Sequence, residues 1–263
     1  MSASHAGRTY AVTGAASGIG AAVVAALRAE GANVIACDLD EGDVVADLST
    51  PDGRRTLARA VTQLSGGRLD GVVANAGGGR PETLLSLNYF GARATLESLR
   101  PLLAASDAAR AVAISSVSAL GDPDLALVGA CLAGDEAAAN RAGWTAHHAG
   151  AGPREIYGAA KHALNRWCRQ AAVSPDWAGA GIALNVVAPG VIDTPAAAYI
   201  LSDAALNAQM AARAPLKGGY PGRPEDMAAL VAWCLSAQNR LMTGQVLFAD
   251  AGLECASRGE LVW

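Results

Sequence analysis

Short apolar runs rich in β-branched residues alternate along this chain with alanine-rich stretches of helical character. The runs are TYAVT, NVIAC, DVVADLS, LDGVVANAG, RAVAISS, GIALNVVAPG and GQVLFAD, and the helical stretches cover 17–30, 51–65, 82–101, 154–173 and 224–236. Strands that are apolar throughout are typical of a parallel sheet covered by helices on both faces. The order therefore predicts a single α/β domain, 1–263, built on one doubly wound parallel sheet.

Two longer segments interrupt this alternation. Residues 121–152 contain two short helical patterns bounded by Asp-Pro, Gly-Asp and Gly-Pro signals, and they precede the helix at 154–173. Residues 190–221 follow the end of a strand and contain three prolines. The first segment is predicted to be a helical insertion, and the second to be a lid over the substrate.

The first strand runs directly into a glycine-rich turn, TGAASGIG, which is followed by an apolar helix. Glycines at such a turn let the backbone approach a pyrophosphate, and the helix N-terminus supplies free N–H groups and partial positive charge. An ordinary glycine turn would give the same local pattern. The candidate phosphate-binding residues are Gly14, Ser17, Gly18, Ile19 and Gly20.

The ends of the next three strands carry residues that suit the rest of a dinucleotide. Asp38 ends the second strand, where a carboxylate can bind the adenosine ribose hydroxyls and repel a 2′-phosphate, which predicts NAD as the cofactor. Asp47 and Leu48 end the third predicted strand, where the adenine edge could be read. The fourth strand ends in small residues that leave room for a nucleotide: Asn75, Ala76 and Gly77.

A candidate acid/base pair stands four residues apart in YGAAK, with Tyr157 and Lys161 on one face of a helix. A nearby ammonium would lower the pKa of the tyrosine from its ordinary value of about 10. A solvated Tyr–Lys pair would show the same spacing.

Two further polar residues are candidates. A serine at the end of the fifth strand, Ser115 or Ser116, could hold a substrate oxygen. Asn88 stands in an apolar helix, where local hydrogen bonds could also satisfy it.

Taken together, TGAASGIG, Asp38, NAG, Asn88, ISSVS, YGAAK and APGVIDTP resemble the short-chain dehydrogenase/reductase family over nearly the whole chain. The resemblance implies a Rossmann-type fold and a nicotinamide cofactor. It also implies a catalytic set of Asn88, Ser116, Tyr157 and Lys161, with Ser116 chosen because the following residues match the family pattern. The residues implied to surround the nicotinamide are Pro189, Gly190, Ile192 and Thr194.

The insertion and the stretches ADLST, LNYFGA and HHAG resemble, more narrowly, the bacterial 3α-hydroxysteroid dehydrogenase/carbonyl reductase subgroup. The resemblance implies an NAD(H)-dependent enzyme that interconverts a bulky apolar secondary alcohol and its ketone. Enzymes of that subgroup also act on aryl and allylic alcohols, and a nucleotide-binding regulatory protein without turnover is an alternative of another class. Because the insertion would cover the helices through which relatives pair, we expect a homodimer through the last strand and the 224–236 helix.

Composition excludes several other classes of protein. The net charge is −4 with no basic run, so nucleic acid is not an expected partner. No apolar stretch reaches about 18 residues and MSASHAGR has no apolar segment, so we expect no membrane span, no signal peptide and a cytoplasmic location. Five scattered cysteines indicate reduced thiols, and His147 and His148 lack the companions of a metal site, so no metal is expected.

Overall fold

A computed structural model describes residues 5–260 of the chain; residues 1–4, the first half of the stretch MSASHAGR in which no signal peptide is expected, and residues 261–263 lie outside the described part. Within residues 5–260, seven parallel strands form one sheet in the order β3-β2-β1-β4-β5-β6-β7. The reversal of order beside β1 is that of a doubly wound sheet, as predicted. The strands are β1 Thr9–Thr13, β2 Asn33–Asp38, β3 Val44–Val45, β4 Gly71–Ala74, β5 Arg110–Ile114, β6 Ala183–Pro189 and β7 Val246–Ala249.

Helices cover both faces of this sheet, because the central strands are apolar on both sides. The helices are α1 Gly18–Ala29, α2 Pro51–Leu64, α3 Ala92–Leu103, α4 Leu125–Ala133, α5 Glu136–His148, α6 Pro153–Ala172, α7 Ala198–Leu201, α8 Ala204–Ala212, α9 Pro224–Leu235 and α10 Leu253–Arg258. One core cluster packs α1 and α9 against the sheet, and the other packs α2, α3, α4 and α6 against the opposite face.

The third predicted strand is the least accurate of the predicted elements. The run DVVADLS forms a strand only at Val44–Val45, and the following residues form a turn into α2. Thr50 caps that helix by accepting a hydrogen bond from the Gly53 N–H at 3.1 Å. The turn in which Asp47 accepts the Ser49 N–H and the start of α2 replace the rest of the predicted strand.

The predicted insertion forms two helices, α4 and α5, each begun by an aspartate. Asp124 and Asp135 cap them by accepting backbone N–H groups of their first turns. Leu127, Val128 and Cys131 of α4 are buried in the core cluster that includes α6. The insertion therefore packs against its own domain and covers part of α6.

None of the described helices is long and apolar enough to cross a bilayer. Among residues 5–260, no cluster of three His, Cys, Asp or Glu side chains could hold a metal ion. The cysteines are free thiols, and all except Cys255 are buried.

Candidate active site

The glycine turn joins β1 to α1 at the carboxyl edge of the sheet, and Gly20 shows why it requires glycine. A Cβ on Gly20 would lie 1.8 Å from the Gly14 carbonyl oxygen, so any side chain would collide with the turn itself. Ser17 is the N-cap of α1 and its hydroxyl makes no capping hydrogen bond, while Ile19 packs into the core behind the turn. The open turn, the exposed hydroxyl and the free N–H groups of α1 fit a pyrophosphate.

Asp38 places its carboxylate against the same turn. Its Oδ2 accepts a hydrogen bond from the Ala16 N–H at 2.8 Å, and its Oδ1 accepts one from the Leu39 N–H at 2.7 Å. Leu39 is 54% exposed and carries no charge. The end of β2 therefore presents a fixed carboxylate without an adjacent cation that could hold a phosphate.

Asp47 and Leu48 do not end a strand, contrary to the sequence prediction. Asp47 accepts hydrogen bonds from the N–H and the hydroxyl of Ser49 at 2.9 and 2.6 Å, so it stabilises its own turn. The Leu48 side chain is buried in the core. At this position the cleft is therefore bordered by a turn, with the exposed Asp47 side chain and backbone groups, and not by the end of a strand.

Thr13, a residue that the sequence analysis did not single out, organises the end of β4. Its Oγ1 accepts hydrogen bonds from the N–H groups of Asn75 and Ala76 at 3.0 and 3.1 Å. Asn75 in turn donates from Nδ2 to the carbonyl oxygens of Thr13 and Gly14, both at 3.0 Å. The only signal in the sequence is a hydroxyl at the end of β1, beside the glycine turn.

Ser116, and not Ser115, shares the cleft with Tyr157. The Ser116 side chain lies close enough to Tyr157 to lower the pKa of its phenol, and its Oγ accepts the Ser118 N–H at 3.1 Å. Ser115 is buried, and its hydroxyl lies 3.5 Å from the Lys161 carbonyl oxygen, behind the cleft. Two hydroxyls at the carboxyl end of β5 can therefore hold one substrate oxygen between them.

Lys161 is almost fully buried one helical turn beyond Tyr157. Its Nζ donates to the Ile114 carbonyl oxygen at 2.9 Å and lies 5.5 Å from the centroid of the Tyr157 ring. Burial lowers the pKa of Lys161 to about 8, because the charged ammonium is poorly solvated there.

The expected lowering of the Tyr157 pKa is not what the structure shows. Burial raises the pKa of Tyr157 to about 12, and the neighbouring Ser116 side chain offsets only part of that rise. The same burial that disfavours the phenolate also disfavours the ammonium of Lys161, which donates to a backbone carbonyl and not to the phenol. The neutral phenol is therefore the form that this site favours.

Asn88 lies in a π-helical stretch, Ser86–Gly91, that precedes α3. Its Nδ2 donates to the carbonyl oxygens of Gly78 and Leu84 at 2.7 and 2.8 Å, and its Oδ1 accepts the Gly78 N–H at 3.1 Å. The side chain is thus satisfied locally, which is the simpler of the two interpretations of the sequence. A Cβ on Gly77 would nevertheless lie 2.9 Å from Asn88 Oδ1 and 3.5 Å from Lys161 Nζ, so both groups border the same small space.

The residues after β6 bring the predicted lid to the cleft. A Cβ on Gly18 would lie 3.0 Å from Thr194 Cγ2, so Thr194 faces the start of the glycine turn's helix. Thr194 Oγ1 lies 3.3 Å from the Ile192 carbonyl oxygen, to which it donates. At the end of β6, Pro189 is followed by Gly190, whose N–H donates to the Ala249 carbonyl oxygen at 3.0 Å.

An apolar cluster joins this segment to the loop that follows Ser116. Val117 and Leu120 pack with Ala197 and Ile200. Tyr199, which the sequence analysis did not identify, is close enough to Tyr157 for its charge to raise the pKa of that phenol. The wall of the cleft above the two hydroxyls is therefore apolar, with a second tyrosine beside it.

The site thus has the components of a pyridine-dinucleotide oxidoreductase, and comparison with known proteins gives the same result. A family model described as enoyl-(acyl carrier protein) reductase matches residues 14–254. The 3-alpha-hydroxysteroid dehydrogenase/carbonyl reductase of Comamonas testosteroni is 34% identical over 94% of this chain and 96% of its own. The cis-4-hydroxycyclohexanecarboxylate dehydrogenase of Sinomonas cyclohexanicum is 33% identical over 96% of this chain and 98% of its own.

A solved structure resembles the whole fold. The 3-alpha-hydroxysteroid dehydrogenase from Pseudomonas sp. B-0831, complexed with NADH, superposes with a TM-score of 0.88 at 36% identity, over 96% of this chain and 99% of its own. Sequence relatives, matched fold and the geometry of the cleft agree. The chain belongs to the short-chain dehydrogenase/reductase family of nicotinamide-dependent oxidoreductases.

Proposed function

We propose that the protein is an NAD(H)-dependent dehydrogenase that interconverts a bulky apolar secondary alcohol, such as a hydroxysteroid, and its ketone. The observation that carries this proposal is the pair of hydroxyls, Ser116 and Tyr157, at the end of β5 beneath an apolar wall. An uncharged ring system suits such a wall better than a charged substrate does. The two 3-alpha-hydroxysteroid dehydrogenases among the similar proteins support the same substrate class.

The chain's own residues divide the chemistry as follows. Ser116 donates a hydrogen bond that orients the substrate oxygen, and the Tyr157 phenol gives its proton to that oxygen during ketone reduction. A bound nicotinamide supplies the hydride for reduction, or accepts it in the reverse direction. Lys161 would hold the nicotinamide ribose, and Asn88 Oδ1 and Lys161 Nζ, which border the same space beside Gly77, would line the path by which the proton returns from solvent.

A substrate panel tests this function. We expect NADH formation with 3-hydroxysteroids to exceed that with aryl, allylic and small cyclic alcohols at equal concentration, monitored by absorbance of the reduced cofactor. Faster turnover of an aryl or allylic alcohol would show that the substrate is the smaller alcohol and not a hydroxysteroid. Binding of NADH without turnover of any alcohol or ketone would favour the regulatory alternative.

The choice of NAD over NADP rests on Asp38, whose carboxylate would repel a 2′-phosphate. We expect the unmodified enzyme to prefer NAD strongly in kcat/KM. Asp38→Ser combined with Leu39→Arg should move the ratio towards NADP by about tenfold or more, ~1.4 kcal/mol, since a repulsion becomes an attraction. The variant Leu39→Gln adds no charge and is the matched control. Equal kcat/KM for both cofactors in the unmodified enzyme would contradict this assignment.

Residues 190–221 are proposed to close over substrate. They contain two short helices, α7 and α8, and they pack by apolar contacts on the loop after Ser116. Addition of NADH together with substrate should slow amide hydrogen exchange in this segment, while α1 serves as an internal reference. Exchange that stays unchanged at saturation would show that the segment is not a lid.

We also propose a homodimer formed through β7 and α9. The four residues of β7 are only half-buried at the edge of the sheet, and Trp233 and Leu241 nearby are 44% and 96% exposed. Helix α4 packs against α6, one of the helices through which relatives pair, which argues against the usual contact. Light scattering should give twice the chain mass, and Leu241→Asp should lower it, whereas Leu125→Asp on the exposed part of α4 should not. A tetramer that uses α3 and α6 would refute this assembly.

A further inference from the structure

Arg54, in the first turn of α2, makes hydrogen-bond contacts with three separate segments of the chain. Its Nε donates to the Leu48 carbonyl oxygen at 2.8 Å, and its Nη2 lies 3.2 Å from that of Ser49. Nη2 also donates to the Ser86 carbonyl oxygen at 2.8 Å. Glu136 of the insertion accepts from Nη1 and Nη2 at 2.6 and 2.7 Å, which makes a bidentate pair.

These partners stand at both ends of the proposed cofactor site. Leu48 and Ser49 belong to the turn after β3, where the sequence analysis expects the adenine. Ser86 begins the π-helical stretch that carries Asn88 two residues later. The guanidinium is planar and its donors are fixed relative to one another, so a shift of one partner disturbs the others.

The insertion holds this arrangement from the outside. Glu136 is the first residue of α5, and its side chain is only 25% exposed. The pKa of Glu136 is lowered: burial alone would raise it, but the hydrogen bonds from Arg54, the nearby Ser86 side chain and the charge of Arg54 outweigh burial, so the carboxylate stays ionised. Asn140, one turn along α5, donates to Ser86 Oγ at 2.9 Å. The insertion therefore holds Ser86, at the start of the Asn88 stretch, directly through Asn140 and indirectly through Glu136 and Arg54.

We propose that Arg54, held by Glu136, is a positioning residue that sets the adenine-side turn and the Asn88 stretch relative to each other. The insertion thereby supports cofactor binding and proton transfer without touching either. This inference rests on the proposed function, since it assigns a role towards the same cofactor and the same proton path. The alternative is that the ion pair only stabilises the fold.

The test compares Arg54→Lys and Glu136→Gln with the unmodified protein. Arg54→Lys keeps the positive charge but loses the planar guanidinium that makes the bidentate pair. Glu136→Gln keeps the shape of the side chain but loses its negative charge. Arg55→Gln is the matched control, because Arg55 stands next in α2 and pairs with Asp52 at the exposed surface. The readouts are the Kd for NADH from its fluorescence, kcat and KM for one ketone of the panel, and Tm.

We expect Arg54→Lys to raise the Kd for NADH about tenfold and to lower kcat at saturating NADH, with the KM for ketone unchanged within about twofold. Glu136→Gln should act in the same direction. The double variant should be no worse than Arg54→Lys alone, because the two residues act as one unit. Should Arg54→Lys fail to fold, Glu136→Gln decides by the same readouts.

A purely stabilising ion pair predicts another pattern. Tm would fall while the Kd for NADH and kcat, measured well below Tm, stayed at the unmodified values, and that result overturns the inference alone. An unmodified protein that binds no NADH overturns the proposed function and this inference with it. Equal effects in Arg55→Gln also overturn it, since they would show that any change at this end of α2 has the same effect, whether or not it touches Glu136.

Discussion

Replacing Tyr157 by Phe should abolish nearly all turnover and leave NADH binding intact. The substitution removes the phenol that exchanges a proton with the substrate oxygen, but it keeps the ring in the same packing. A positioned general acid or base contributes about 10² to 10⁴ in rate, so kcat should fall by that factor. Steady-state kinetics with one ketone and a fluorescence titration with NADH measure the two effects separately.

The control for this variant is Tyr10→Phe. Tyr10 lies near the amino end of β1, where its hydroxyl is 2.6 Å from His5 Nδ1, so the same atom is deleted far from the cleft. That variant should lose some stability and keep its kcat. Near-normal turnover in Tyr157→Phe would rule out the phenol as the acid/base group.

The raised pKa of Tyr157 predicts how the rates of ketone reduction and of alcohol oxidation change with pH. Because burial raises that pKa to about 12, the phenol persists at neutral and moderately alkaline pH. Ketone reduction needs the phenol, which stays protonated from pH 7 to about 9, so any fall in its rate over that range should follow the Lys161 ammonium, whose pKa is about 8. Alcohol oxidation, which needs the phenolate, should accelerate over the same range. The alkaline rise in oxidation should be absent from Tyr157→Phe.

The components of the site that depend on local sequence were predictable. The order strand, glycine turn and helix places Gly14, Gly18 and Gly20 at the carboxyl edge of the sheet, because parallel strands share that edge. The four-residue spacing of Tyr157 and Lys161 puts both on one helical face. Each of these inferences needs only the few residues next to one another in the sequence.

Other features depend on contacts between distant residues, and the sequence does not reveal them. Arg54 and Glu136 are 82 positions apart, and a charged residue is ordinary on the surface of a helix, so neither one stands out in the sequence. The pKa of Tyr157 depends on how completely its surroundings exclude water. The Lys161 ammonium, four residues along the chain, does not offset the rise that burial causes. The prediction that Asp47 ends a strand is wrong, because Val44–Val45 and the nearby Leu48 together resemble one longer apolar strand.

The glycine turn gives the second large expected effect, because Gly20→Ala should disrupt the pyrophosphate site. The new Cβ would lie 1.8 Å from the Gly14 carbonyl oxygen and 2.6 Å from Asn75 Nδ2, far inside contact distance. Neither atom can retreat freely, since Asn75 Nδ2 donates to that same carbonyl at 3.0 Å. We expect the turn to open and the Kd for NADH to rise about 100-fold, as if two charge-assisted hydrogen bonds were lost.

Gly129→Ala is the matched control for this change. Gly129 lies in α4, and no atom lies within 4 Å of the place that a methyl group on it would occupy, so alanine there should raise stability by up to about 1 kcal/mol through its helix propensity. Circular dichroism should show that Gly129→Ala melts at or above the unmodified Tm. Gly20→Ala should either bind NADH weakly or lose its folded spectrum, because the collision is with backbone. Unchanged NADH affinity in Gly20→Ala would mean that the turn rearranges at little cost and that its glycine is not what admits the cofactor.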